Sequence, residues 1–195
     1  MAGTSESARK NELLMAAYDY ALANGLAEYS LRPLAAAIGT SPRVLLYLFG
    51  SKDGLTRALL ARARQQELAA LAAVRASAGA DLAQVAREVW AWLTDPSHRA
   101  LMALWLEGYA RSLLAEPGPW EQFARETVTD WLGLLGEHQP AGRRASAAGR
   151  AERTLLLAVL RGGLLDVLAT GDADRATAAV EQYLATLSPV TARRC

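Results

Sequence analysis

The feature that most constrains the fold is a pair of short helical segments in residues 30–49. Ser30 can begin the first segment, and the connection to the second is Gly39-Thr40-Ser41. Pro42 then stands where a fixed φ suits helix entry, and Gly50 can end the second helix. Two helices joined by a three-residue turn headed by glycine are the sequence form of a helix-turn-helix. A second helix of about two turns gains little from packing alone, which favours a role for its exposed face.

The rest of the sequence also predicts helices, because Ala and Leu dominate and no segment sustains an alternation of period two. We expect about nine helices, and no internal repeat is found. They span residues 6–24, 31–38, 42–49, 52–77, 81–94, 97–115, 120–137, 151–169 and 174–187. The segments 116–119 and 139–149 are expected to be a turn and a loop, respectively. The sequence therefore predicts an all-α fold.

Composition and charge narrow the class of protein further. With 195 residues, 52% of them hydrophobic and 21% charged, the chain can bury a core and is not expected to be disordered. The net charge is only +1, but residues 1–64 hold eight basic and five acidic side chains, whereas acidic side chains exceed basic ones in the remainder. This asymmetry favours an N-terminal part that faces nucleic acid.

The expected location is the cytoplasm. The one cysteine, Cys195, cannot form an intrachain disulfide, which fits a reducing compartment. The opening segment, residues 1–10, is polar and does not read as a signal peptide. The longest apolar stretch, residues 155–168, is interrupted by Arg161 and Asp166 and is shorter than the roughly 20 residues of a membrane span.

The residues of the two short helices and the segment after them resemble the signature of a known protein family. The run Ser-Leu-Arg-Pro-Leu-Ala-Ala-Ala-Ile-Gly-Thr-Ser at 30–41, followed by Leu-Leu-Tyr-Leu-Phe-Gly-Ser-Lys-Asp at 45–53, is similar to the N-terminal signature of the tetracycline-repressor (TetR) family. The Leu and Ala pairs of the first helix and the closing Gly25 match as well. The resemblance covers about residues 9–62, a third of the chain. It implies a three-helix DNA-binding domain at 1–51 and a helical effector-binding and dimerisation domain at 52–195, connected by helix 52–77.

The resemblance also implies which side chains contact DNA. Ser30 and Arg32 match backbone contacts at the start of the second helix, and Lys52 matches a phosphate contact at the start of the fourth. The full implied set is Ser30, Arg32, Thr40, Ser41, Pro42, Arg43, Leu46, Tyr47 and Lys52.

Three positions depart from the family pattern. Pro42 stands where the family commonly has Lys, so one cationic contact is missing. Arg43 stands where Gly is common, and it either pairs with guanine O6/N7 or contacts a phosphate. Leu46 replaces an aromatic side chain, and it either meets a thymine methyl group or partly fills the core. These departures affect the operator sequence and leave the binding mode unchanged.

The body of the chain carries all five tryptophans, which lie in predicted helices five to seven. The family arrangement implies a largely apolar effector cavity there, although ordinary core packing is the alternative for each aromatic side chain. The candidate contacts are Trp90, Met102, Trp105, Tyr109, Phe123, Thr127 and Trp131, with Glu107 and Arg111 as further polar candidates.

Helix 151–169 has more apolar surface than one side can bury, and Gly162 and Gly163 suit a close helix crossing. With helix 174–187 it is expected to form a homodimer interface in the family manner, the alternative being an internal buried helix. A two-fold dimer presents two recognition helices about 34–36 Å apart, which predicts a near-palindromic target. In the family, an effector alters that separation by tilting the fourth helix.

We therefore expect a sequence-specific DNA-binding regulator, a repressor released from its operator by a small apolar effector. The alternatives are a helical protein-binding scaffold without specific DNA recognition, and a DNA-binding protein that lacks an effector or acts as an activator. An enzyme is not expected. Only His98 and His138 are present as histidines, and the sequence has no metal-ligand cluster, glycine-rich phosphate loop or Gly-x-Ser-x-Gly motif. No cofactor is expected.

Overall fold

The computed structural model describes residues 2–26, 29–75, 81–114 and 118–187. Within those ranges the secondary structure is helical and contains no strand, so the prediction of an all-α fold is confirmed. The helices are α1 (Ala2–Asn24), α2 (Leu31–Ala37), α3 (Pro42–Phe49), α4 (Lys52–Arg75), α5 (Leu82–Thr94), α6 (Arg99–Leu113), α7 (Phe123–Glu137), α8 (Ala141–Ala145), α9 (Ala147–Thr170) and α10 (Ala173–Leu184). A short 3-10 turn, Pro96–His98, precedes α6.

The chain packs as two compact units. The first comprises Met1–Leu68 and Ala100–Glu126, and the second comprises Ala69–Arg99 and Thr127–Cys195. The boundary predicted between residues 51 and 52 separates two functions, whereas these units are separated by packing. The packing units do not test that boundary, which stays a prediction.

Helices α1, α2 and α3 form the N-terminal part of the first unit. Tyr18 of α1, Leu34 and Ala35 of α2, and Leu45 of α3 are all fully or almost fully buried. Burying these apolar side chains is what stabilises helices as short as α2 and α3, which have seven and eight residues. The hydroxyl of Tyr18 donates to Gln66 Oε1 of α4 over 2.8 Å, and burial raises the pKa of Tyr18 to about 12.

The expected helix starts are mostly confirmed at the level of single hydrogen bonds. Ser41 Oγ accepts from the N–H of Val44 over 3.3 Å, and Ser51 Oγ accepts from the N–H of Gly54 over 2.9 Å. These bonds satisfy N–H groups that lack a partner inside the helix. Ser30 occupies the N-cap position of α2, but its side chain makes no capping hydrogen bond.

The second unit is built around α5, α9 and α10. The indole N–H of Trp90 on α5 donates to Thr177 Oγ1 on α10 over 2.9 Å. Gly163 of α9 lies against the same ring, so a Cβ there would come within 2.8 Å of an indole carbon. Arg87 and Glu181 pair over 3.0 Å between α5 and α10. Gly163 therefore has the close-packing role expected of it, within the chain rather than between chains.

Several predicted boundaries were wrong, and the count of helices is ten rather than about nine in the described ranges. Residues 141–145, expected in a loop, form α8, with Pro140 at its N-cap position. Ser146 then caps α9 through the N–H of Gly149, so α9 begins four residues earlier than expected. Helix α7 begins at Phe123 rather than at residue 120, because Gln122 has a φ of +68°.

Other helix ends also shift. The helix expected at 97–115 spans Arg99–Leu113, and the helix expected at 174–187 spans Ala173–Leu184. The last two residues of the helix expected at 52–77 lie outside the described residues. No helix in the described ranges is both long enough and apolar enough to cross a lipid bilayer.

Candidate nucleic-acid interface and effector groove

Helix α3 exposes four of its eight side chains. Only Leu45 is buried, while Tyr47 is 73% exposed, Leu46 is 41% exposed and Arg43 is also exposed. An exposed tyrosine and leucine beside an arginine, on a helix capped by Ser41, are what a helix that enters a DNA groove requires. Because Leu46 is 41% exposed, it can fill the core only in part.

The other predicted DNA contacts are also accessible. Ser30, Arg32 and Ser41 are exposed at the starts of α2 and α3, and Lys52 is exposed at the start of α4. Thr40 and Pro42 are half-buried in the connection and at the first position of α3. All nine predicted contacts lie in the first unit, on three adjacent helix starts and on the outer side of α3.

Lys52 has a neighbour that sequence reasoning missed. Its ammonium nitrogen lies 4.8 Å from the centre of the Tyr29 ring, within the range of a cation–π contact. The Tyr29 hydroxyl shares a 2.7 Å hydrogen bond with Thr56 Oγ1 and donates to the carbonyl oxygen of Lys52 over 3.2 Å. Burial raises the pKa of the Tyr29 hydroxyl. A buried tyrosine therefore orients the lysine predicted to contact phosphate.

Glu107, a polar candidate for effector binding, instead contacts the backbone. Its Oε2 accepts a 2.7 Å hydrogen bond from the N–H of Leu26, which follows α1. Its Oε1 lies 3.9 Å from Arg111 Nε, one helical turn away on α6. Gly25, with a φ of +78°, leaves room for the carboxylate, since a Cβ there would lie 3.3 Å from Oε2. The carboxylate thus attaches α6 to the turn that leads from α1 toward α2.

The seven predicted effector contacts divide between the two units. Met102, Trp105 and Phe123 are buried in the first unit, where Trp105 also stacks on the half-buried Tyr109 with ring centres 4.9 Å apart. The members in the second unit are buried as well and are Trp90, Thr127 and Trp131. Packing accounts for Trp90, whose ring and N–H contact α9 and α10. Effector binding by these residues stays a prediction.

A groove of about 370 Å³ lies in the second unit. It is lined by Ala70, Leu71 and Ala73 of α4, by Glu88, Val89 and Trp92 of α5, and by Trp131 of α7. Trp131 is the one predicted effector contact among them. Glu88 and Trp92 also line the groove and are not among the predicted contacts, and their spacing of four residues puts both on one face of α5.

A second, more polar cavity of about 520 Å³ lies in the first unit, between the start of α4 and the segment before α7. Its lining includes Asp53, Arg57 and Glu121, so both signs of charge are present.

Helix α9 leaves one apolar face uncovered in the isolated chain. Leu155 is 53% exposed and Leu165 is 45% exposed. Ala158 and Gly162 are exposed between them, and a Cβ on Gly162 would meet nothing within 4 Å. Gly162 therefore lies on the exposed side of α9, whereas Gly163, about 100° further around the helix axis, lies on the packed side.

Comparison with known proteins finds similar folds among solved structures. No protein-family model and no curated protein matches the sequence. Among solved structures, the multidrug binding protein EbrR complexed with imidazole is 28% identical, with a TM-score of 0.65 over 94% of this chain and 92% of that one. EbrR complexed with malachite green is 26% identical, with a TM-score of 0.68 over 93% and 99% of the two chains.

A regulator from Agrobacterium tumefaciens, described as TetR family, has a TM-score of 0.73 at 17% identity over 93% of this chain and 98% of that one. The all-α fold with a capped helix-turn-helix at its N-terminus is therefore shared with these structures along nearly the whole chain. The chain has the fold of solved structures that are described as TetR-family transcriptional regulators, which is the fold that its N-terminal signature implied.

Proposed function

We propose that this protein is a cytoplasmic, dimeric repressor that binds a near-palindromic operator and leaves it when a small apolar effector binds the helical body. The proposal rests on which side chains of α3 are buried and which are exposed. Leu45 is the one buried side chain of α3, and Leu48 and Phe49 are half-buried. Arg43, Leu46 and Tyr47 are exposed for contact with DNA. Residues 1–51 would act as the DNA-binding domain and residues 52–195 as the effector-binding and dimerisation domain.

Phosphate contacts position the protein, and base contacts give it specificity. In the proposal, Ser30, Arg32 and Lys52 contact the backbone, and the stacking of Lys52 on Tyr29 reduces the side-chain entropy lost on binding. Arg43 projects from the first turn of α3 and reads guanine in the major groove. Tyr47, one turn later, reaches the backbone or a base edge.

Dimerisation is proposed through α9 and α10. The exposed face of α9, defined by Leu155, Ala158, Gly162 and Leu165, combines two large apolar side chains with two small residues that permit close helix approach. Ala178 of α10 is exposed as well. Covering this face removes apolar surface from water, which is the main driving force for association.

The effector part of the proposal is supported by EbrR, which is described as a multidrug binding protein. An effector releases the operator only if it binds the conformation that cannot bind DNA more tightly than the one that can. The bond from Glu107 on α6 to the backbone N–H of Leu26 offers a route by which a shift of α6 would reach the helix-turn-helix.

The test is selection of bound duplexes from a random DNA pool at physiological salt. The wild-type protein is compared with Arg43→Ala and with Arg125→Ala, which removes the same charge from an exposed position on α7. We expect one palindromic site to be enriched, and Arg43→Ala to relax the preference at one symmetric pair of positions, a loss of about 1–3 kcal/mol of discrimination. Arg125→Ala should select the wild-type site.

Two results would contradict the proposal in different ways. Without enrichment, and with only weak salt-dependent binding, the chain would be a protein-binding scaffold instead. If Arg43→Ala lowered affinity equally for all sequences, Arg43 would be a phosphate contact, and specificity would lie with Leu46 and Tyr47.

A further inference from the structure

We propose that Met15 is an oxidation site, at which hydrogen peroxide converts the thioether to a sulfoxide that the guanidinium group of Arg62 then holds. Met15 lies on α1 and Arg62 lies on α4, and Arg62 Nε donates to Met15 Sδ over 3.3 Å. The oxidation itself is independent of the proposed function, and only its effect on operator binding rests on that function.

Met15 belongs to a polar contact between α1 and α4 inside the first unit. The guanidinium carbon of Arg62 lies 5.7 Å from the centre of the Tyr18 ring, within the range of a cation–π contact. One helical turn further along α4, Gln66 Oε1 accepts from the Tyr18 hydroxyl over 2.8 Å. Two side chains of α4 therefore hold two neighbouring side chains of α1, and one of the bonds ends on sulfur, which is a weak acceptor.

Met15 is more accessible to a small oxidant than the other methionine in the described ranges. Met15 is half-buried, whereas Met102 on α6 is 2% exposed. An oxidant reaches a buried sulfur only when the fold opens locally, so Met15 should react first. Met1 and Cys195 lie outside the described residues.

The reaction transfers one oxygen atom. A lone pair of Met15 Sδ attacks one oxygen of hydrogen peroxide, the S–O bond forms as the O–O bond breaks, and a proton moves to the departing oxygen to complete a water molecule. Sulfur loses two electrons and the peroxide gains them, so peroxide is the only co-reactant. The Arg62 guanidinium keeps its proton and stabilises the negative charge that develops on the transferred oxygen.

Arg62 distinguishes this sulfoxide from one formed among apolar side chains. A sulfoxide in an apolar core is a polar group without a partner, which costs free energy, whereas the oxygen on Met15 can accept from a charged donor. A well-aligned N–H···O bond needs about 2.9 Å between nitrogen and oxygen. The 3.3 Å that separates Arg62 Nε from the sulfur must increase to admit that oxygen. Oxidation should therefore shift the contact between α1 and α4 without abolishing it.

The first experiment measures where the full chain is oxidised. It uses a Cys195→Ser background, so that the thiol does not consume the peroxide. Peptide mass spectrometry follows the sulfoxide at Met15 and at Met102, in the folded chain and in the chain unfolded by urea. We expect Met15 to react at least about tenfold faster than Met102 in the folded chain, because Met102 depends on local opening. The two rates should become similar in urea.

The second experiment tests the guanidinium group with Arg62→Leu. Arg57→Leu is the matched control, because it removes the same charge from an exposed position on α4, about 140° away around the helix axis. Thermal unfolding is measured before and after oxidation. The fall in Tm on oxidation should be at least about twice as large in Arg62→Leu as in the wild type, since the sulfoxide then lacks a charged donor. Arg57→Leu should match the wild type.

Equal oxidation rates at Met15 and Met102 in the folded chain would overturn the proposal. The wild-type rates need no variant at Arg62, so the proposal can fail even where Arg62→Leu does not fold. An equal fall in Tm in the wild type and in Arg62→Leu would overturn the role of Arg62.

The effect on the selected operator duplex is measured separately. Oxidation should weaken binding by at least about fivefold, the lower end of the range for coupling between two sites, because a shift of α1 carries α2 and α3 relative to the start of α4. Met15→Leu should keep its affinity after peroxide treatment. If the wild type also keeps its affinity, the regulatory effect is overturned while the oxidation site stands. If no operator is found, the proposed function fails while the oxidation result stands.

Discussion

Replacing Glu107 with alanine removes the bond between the Glu107 carboxylate on α6 and the N–H of Leu26, without touching any side chain proposed to contact DNA. The bond is 2.7 Å long, and the Glu107 side chain is 21% exposed. Leu26 itself is 2% exposed, so water has poor access to the N–H that would lose its acceptor. The weak ion pair with Arg111, at 3.9 Å, is lost as well.

The expected cost follows from these contacts. A hydrogen bond to a charged group contributes about 1.5–3 kcal/mol, and an exposed ion pair of the i, i+4 type contributes only a few tenths. We therefore expect Glu107→Ala to lower the free energy of unfolding by about 1.5–3 kcal/mol. For a chain of this length that corresponds to a fall in Tm of about 2–4 °C per kcal/mol.

The assay is urea unfolding followed by far-ultraviolet circular dichroism, with all variants at one protein concentration because dimerisation would couple to unfolding. Glu107→Gln is the control, since its amide oxygen can still accept from Leu26 but carries no charge. It should lose less than half as much stability as Glu107→Ala. The reasoning is refuted if Glu107→Ala lies within about 0.5 kcal/mol of the wild type. Equal losses in the two variants would assign the effect to the ion pair with Arg111.

Three further predictions concern stability in the same assay. Gly163→Ala should cost about 1–3 kcal/mol, because its Cβ would lie 2.8 Å from an indole carbon. Gly162→Ala, whose Cβ would meet nothing within 4 Å inside the chain, should cost nothing at a protein concentration low enough to keep the chain monomeric; equal effects there would contradict the assigned orientations. Gly25→Ala should cost about 1 kcal/mol or more, since φ is +78° and the new Cβ would crowd a carboxylate, and an unchanged midpoint would exclude that strain. Because the pKa of Tyr18 is raised to about 12, stability should fall as the pH rises from 10 to 12, and Tyr18→Phe should reduce this slope.

Much of the fold could be predicted because helix ends carry local chemical signals. Ser41 and Ser51 each accept from the N–H of the third residue of the helix that follows, and Gly50 and Gly171 adopt the positive φ that ends a helix. These interactions depend on a few neighbouring residues, so they are visible in the sequence. Helix α8 was missed because Pro140 and Gly142 read as loop residues, whereas the proline stands at the N-cap, where it does not interrupt the helix.

The lining of the groove was harder to predict because it depends on which face of a helix is buried. Trp90 and Trp92 are two residues apart on α5, so their side chains point about 200° apart around the helix axis. The structure buries Trp90 against α9 and α10 and leaves Trp92 in the groove. The sequence identifies both as large apolar residues, but the choice between packing and binding is made by the neighbouring helices. The neighbouring helices likewise decide that Gly163 is packed and Gly162 is exposed.

In the proposed function, the exposed surface of α3 has a consequence for how operator recognition can change. Leu45 alone is buried on that helix, while Arg43, Val44, Leu46 and Tyr47 are exposed. Substitutions at exposed positions usually alter stability by no more than about 0.5 kcal/mol. If α3 recognises DNA as proposed, new operator preferences can be acquired at these four positions, singly or together, by mutation or by design, while the fold that supports them is left intact.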